Sequence, residues 1–188
     1  IVSSSLYSTN ENVVSKEYLR LTNDKYQSEI VGYVMDAGDT DLCFRDKYGK
    51  EYKVTLHALP YENPLSYVSI TNVENGKNLA SKLSEVAWYY GADEHTFDLI
   101  FSQKTRRPEI VVKAADHWII DSIYADLLIG SGKYTTVEYR NINASEKTIQ
   151  IKKTIPKESL LEMHIYLKNT RTGGRQWIRF GDDLDDYG

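Results

Sequence analysis

The 188-residue chain is poor in sulfur and in phenylalanine: one cysteine, two methionines and four phenylalanines. With Cys43 alone, an intramolecular disulfide, a Cys-based zinc site and a CxxC redox pair are all excluded. No run of about 18 apolar residues occurs, so no membrane-spanning helix is expected. A strong charge of either sign is missing as well, with 27 acidic against 23 basic residues. A pI near 5.6 disfavours nucleic acid, whose binding calls for a broad basic excess. Disorder is excluded in turn, because 41% of the residues are hydrophobic and net charge is only -4. Catalytic signatures are absent too. There is no HExxH, GxSxG or Rossmann fingerprint, and Gly130-Ser131-Gly132-Lys133 lacks the spacing of a phosphate loop. No cofactor, metal site or catalytic residue is assigned.

What the chain does have is tyrosine, 15 of them beside three tryptophans. Tyrosine combines a large contact area with one polar tip and little rotamer entropy, which suits interfaces. At this length folding hides about 70% of the surface that the unfolded chain exposes, so no staple is needed. No repeat or linker interrupts the middle. The sequence reads as a flexible N-terminal tether (1–15), one domain (16–180) and an acidic C-terminal tail (181–188). The start, rich in Ser and Asn, fits a chain with a leader or lipid anchor upstream. That favours an exported or cell-envelope location, although one free thiol is equally compatible with a cytoplasm.

Alternation gives the clearest local signal. In Glu51–Ala58, Tyr52, Val54, Leu56 and Ala58 share one face, opposite Glu51, Lys53, Thr55 and His57. Asp39–Phe44 reads as its hairpin partner across the turn residues of 46–50. Further strands are expected at Glu29–Met35, Leu65–Thr71, Thr96–Phe101, Pro108–Lys113 and Arg175–Phe180. A hairpin is expected to join Lys133–Ile142 to Lys147–Lys152. Helical spacing of Leu79, Leu83, Val86, Ala87 and Tyr90 predicts a helix between an Asn75 or Asn78 cap and Gly91. Ile119, Ile120, Ile123, Tyr124, Leu127 and Leu128 predict a second over Asp116–Gly130. Pro156, followed by Leu160, Leu161, His164 and Leu167, predicts a third. The expected class is α+β: mostly antiparallel strands in a twisted sheet or sandwich, with two or three short helices.

Chemistry-bearing residues are scattered. His57, His95, His117 and His164 show no metal spacing. The aspartates around Gly38 (Asp36, Asp39, Asp41) fail the register of an EF-hand loop. Asp98, Glu109 and Lys113 miss the spacing of a metal-dependent nuclease. The C-terminal strand is the most informative segment. With Ile178 and Phe180 inward, Arg175, Trp177 and Arg179 form an outward stripe, preceded by Lys168 and Arg171. Guanidinium groups flanking an indole suit an anionic or planar ligand, a sugar or a protein surface. These five residues are the candidate binding site. The expected function is a non-catalytic binding or assembly module with a protein partner, as a component of an exported, cell-envelope or viral machine. Two alternatives stand beside it. A hydrolase would bring two histidines to a carboxylate, and a small-ligand carrier would enclose an apolar, tyrosine-lined pocket.

Overall fold

The computed structural model describes residues 3–23, 28–83, 98–130, 132–181 and 184. Among the described residues strands take up 54%, helical turns 7%, and no helix reaches seven residues. This overturns the expected α+β class: the protein is mostly β, built of several small antiparallel sheets. Its contacts group into two compact units, Ile1–Glu62 and Asn63–Gly188, which part within the loop bracketed by Pro60 and Pro64.

The first unit contains β1 (Tyr7–Ser8), β2 (Arg20–Asn23), β3 (Ser28–Val31), β4 (Gly38–Arg45) and β5 (Glu51–Ala58). β1, β4 and β5 form one sheet, and β2 pairs with β3. The β4–β5 turn is fastened by Asp46, whose carboxylate accepts from the backbone N–H of Tyr48 (2.8 Å) and Lys50 (3.0 Å). Alternation in β5 is as the sequence suggests, but its apolar face is not a core face: Tyr52 and Val54 are 38% and 52% exposed. Among the described residues this unit buries only Leu6, Val13, Val14 and Cys43 as apolar side chains. So few cannot cover a sheet face. Cys43 sits as a small buried hydrophobe.

The second unit carries β6 (Leu65–Ile70), β7 (Thr105–Arg106), β8 (Glu109–Ala114), β9 (Trp118–Ile129), β10 (Lys133–Tyr139), β11 (Glu146–Gln150), β12 (Thr154–Ile155), β13 (Leu160–Asn169) and β14 (Arg175–Phe180). One sheet runs β10-β9-β13-β14, a second β11-β8-β6, and β12 pairs with β7. A single core joins the inner face of the first sheet (Ile123, Ala125, Leu127, Leu161, Met163, Ile165, Leu167, Ile178, Phe180) to Val68, Ile70, Ile110, Val112 and Ile149 of the second. Side chains such as Ile123, Leu127 and Leu161 are at most 1% exposed, and each such burial stabilises the fold by about 1.5–3 kcal/mol.

Several expected elements are corrected here. The helix over Asp116–Gly130 is the long strand β9, and the helix after Pro156 is β13. β13 alternates, with Leu161, Met163, Ile165 and Leu167 buried between Glu162, His164, Tyr166 and Lys168. In β9 a bulge disguises the alternation: Tyr166 pairs with Ser122 but Leu167 pairs with Ile120, which leaves Asp121 as an extra residue. The slip puts buried Ile120 and Ile123 three apart, the spacing of a helix. The expected hairpin does not form, since β10 pairs with β9 and β11 with β8. Of the helix expected to end at Gly91, the described part is a 3-10 turn at Leu79–Lys82, and positions 84–97 lie outside the described residues. Of the strand expected at Thr96–Phe101, positions 96 and 97 also lie outside the described residues, while Ile100 and Phe101 form isolated bridges to Leu160 and Val73.

Candidate functional site

The outer face of β10-β9-β13-β14 is where chemistry-bearing side chains gather. In β14, Ile178 and Phe180 are buried while Arg175 and Trp177 are exposed and Arg179 is half-buried. Cross-strand pairing then aligns Lys168 with Arg175, Tyr166 with Trp177, and His164 with Arg179. One strand further in, Tyr124 lies opposite His164. Its ring meets Tyr166 edge-on (5.6 Å, 75°) and lies under the Arg140 guanidinium at 5.8 Å. Arg140 also pairs with Glu138.

A chain of hydrogen bonds fixes this face. The Trp177 Nε1–H donates to His164 Nδ1 (3.1 Å). Acceptance at Nδ1 puts the imidazole proton on Nε2, which donates to Glu162 Oε1 at 2.9 Å. Glu162 is 7% exposed. It also accepts from the Leu184 N–H (3.2 Å) and lies 3.8 Å from the Arg179 guanidinium. A buried carboxylate with three donors around it is satisfied rather than stranded. Leu184 is itself buried, and its carbonyl accepts from the Tyr134 hydroxyl at 2.5 Å. Gly181 has φ +91° and packs closely on the backbone of Leu161 and Glu162.

Beside Trp177 lies a cavity of about 150 Å³, lined by Asp121, Tyr166, Leu167, Lys168, Arg175, Gln176 and Trp177. Of the five residues expected to bind, Lys168, Arg175 and Trp177 therefore share one cavity. Arg179 lies on the same face but further along, beside Glu162. Arg171 is placed elsewhere, in the β13–β14 turn, where the Asn169 side chain accepts from its backbone N–H at 2.9 Å. Sequence reasoning missed Asp121, Tyr124, Glu162, His164 and Tyr166 as neighbours of the stripe, because β9 and β13 read as helices. The alternation of Leu161, Met163, Ile165 and Leu167 was the available signal.

The remaining candidates stay apart. Among the described histidines of the second unit, His117 accepts at its carbonyl from Thr170 N–H (2.7 Å). It stands about 20 Å along the sheet from His164 at the usual rise per residue. In the first unit, His57 pairs with Asp39 at 2.8 Å on the open surface of β4–β5. Next to it, the Thr55 hydroxyl (2.7 Å) and the Lys53 ammonium (3.1 Å) hold the Asp41 carboxyl below the usual carboxylate range. Among the described residues no group of three His, Cys, Asp or Glu is disposed to hold a metal ion. No protein-family model matches the chain, and neither a curated protein nor a solved structure matches it significantly.

Proposed function

We propose that the protein is a non-catalytic binding module whose contact surface is the outer face of β10-β9-β13-β14. The observation that carries this reading is the aromatic group Tyr166, Trp177 and His164, held by cross-strand pairing and by the Trp177–His164–Glu162 hydrogen bonds. Trp177 is 40% and Tyr166 39% exposed. Large aromatic side chains kept rigid at the surface are the usual anchors of recognition. A hydrolase is less well supported, because among the described residues the His–carboxylate pairs, His57–Asp39 and His164–Glu162, each contain a single histidine. A carrier of larger ligands is also less well supported: about 150 Å³ falls short of the roughly 300–1,000 Å³ of pockets that enclose drug-sized molecules.

A role in assembly draws further support from the first unit, which leaves Tyr33, Val34, Met35, Val54 and Leu59 about half exposed or more. Exposed apolar side chains in such number favour a surface that works against a partner. The test is Trp177→Ala. Its removal ends the hydrogen bond to His164 and the ring packing against Tyr166 at a partly exposed site, a loss of about 2 kcal/mol, so the melting temperature should fall by no more than about 8 °C. Capture of binding partners from the native source should be lost. Unchanged capture would refute the reading.

A further inference from the structure

We propose that the cavity beside Trp177 seats one neutral sugar ring of a glycan, lying against Trp177 and Tyr166; this rests on the binding-module reading above. The floor of the site comes first. An indole N–H lies in the plane of its ring, so a bond of 3.1 Å to His164 Nδ1 forbids the imidazole from sitting above the indole. With only 3° between their planes and 5.6 Å between centroids, the two rings are tiled edge to edge. Tyr166 packs beside Trp177, 19° from its plane with ring centroids 6.2 Å apart. A pyranose has a matching shape: a flat face of C–H groups that gains by leaving water, and hydroxyls around its rim.

The residues around the floor suit those hydroxyls. Lys168 and Arg175 offer only donors, and Asp121 as a carboxylate offers only acceptors. A hydroxyl needs both kinds of partner. A phosphate or carboxylate needs donors alone and would meet Asp121 as a like charge. Charge over the wider face is close to balance as well, because Arg140 is beside Glu138 and Arg179 beside Glu162. Within the cavity two cations stand against one carboxylate. Recognition of acidic peptides draws on clusters of arginine without such compensation. The size agrees: about 150 Å³ is the volume of roughly five water molecules, room for a single ring. The bulge supplies the acceptor, since Asp121 is the extra residue of β9.

The experiment follows the Trp177 indole N–H resonance of the full chain by NMR, assigned by its disappearance in Trp177→Phe. Neutral oligosaccharides of glucose, mannose, galactose and N-acetylglucosamine are titrated in turn, then poly-glutamate and heparin, each at low and high salt. At least one neutral series should move the resonance saturably, with an affinity unaffected by salt. By isothermal titration calorimetry, Trp177→Phe should keep that binding within about tenfold, whereas Asp121→Ala should weaken it by about tenfold or more and Trp177→Ala should abolish it. Thermal melts of each variant separate lost binding from lost folding, and the phenylalanine and Asp121 variants carry the test if Trp177→Ala unfolds. No response to any neutral series overturns the proposal. A response only to poly-glutamate or heparin, lost at high salt, also overturns it while leaving the binding face intact. Failure of that face would show separately, as unchanged partner capture by Trp177→Ala.

Discussion

Gly181→Ala probes the close packing of Gly181 on the backbone of Leu161 and Glu162. Two costs add. The residue holds φ +91°, a conformation that costs a side-chain-bearing residue about 1–2 kcal/mol. In addition, a Cβ there would stand 2.3 Å from the Leu161 carbonyl oxygen and 3.2 Å from Glu162 Cα. Both neighbours are backbone of β13, and Leu161 is tied to Leu127 by strand pairing and to the Leu99 carbonyl at 2.9 Å. Relief therefore requires a shift of the ladder or of Gly181 itself, at about 1–3 kcal/mol. The sum is about 3 kcal/mol, or about 10 °C in melting temperature at this size. Gly173 is the control: it has φ +74° in the β13–β14 turn with nothing within 4 Å of the added carbon, so Gly173→Ala should cost about 1 kcal/mol. Urea unfolding followed by tryptophan fluorescence measures both, since Trp118 lies in the core of the same unit. Equal losses for the two variants would refute the steric argument.

Glu162→Ala removes the acceptor of His164 and of the Leu184 N–H and should cost about 2 kcal/mol in urea unfolding. Glu146→Ala, which breaks only the exposed pair with Lys113, should cost less than about 1 kcal/mol; similar losses would contradict the distinction. The Asp41 carboxyl has a folded-state pKa lowered by Thr55 and Lys53. Its contribution to stability is therefore present above the ordinary carboxylate value and lost as pH falls through the lowered one. Carboxyl NMR of Thr55→Val should show the Asp41 midpoint moving up, and no movement would remove the hydroxyl as the main cause.

How much could be read in the sequence depended on whether one residue's spacing stayed in phase. β5 and β14 alternate without interruption, so their faces follow from residue type alone. β13 also alternates, but Leu160, Leu161, His164 and Leu167 fall at helical spacing too, and Pro156 supplied a false start signal. Pairing decides between the two patterns, and pairing is not local: β13 is set by β9 on one side and β14 on the other. In β9 the bulge at Asp121 shifts the phase, so a strand buried on one side for part of its length imitates a helix. The candidate site was legible as far as β14 carried it. Trp177 and Arg175 could be placed outward, but their companions His164, Tyr166 and Asp121 belong to the two misread strands. In β5 the apolar face was legible and its exposure was not, because cover depends on what other residues provide.

The bulge in β9 has a consequence for how this chain can change over generations. Deleting position 121 would not rephase the strand, since without the extra residue buried Ile120 and Ile123 fall on one face in unbroken alternation. Length at this point is therefore not locked by the core. Nor is identity, because the extra residue owes nothing to the alternation on either side of it. A lineage could exchange Asp121 for another polar residue and retune what the cavity accepts, while the ladder of β9 and β13 stayed as it is.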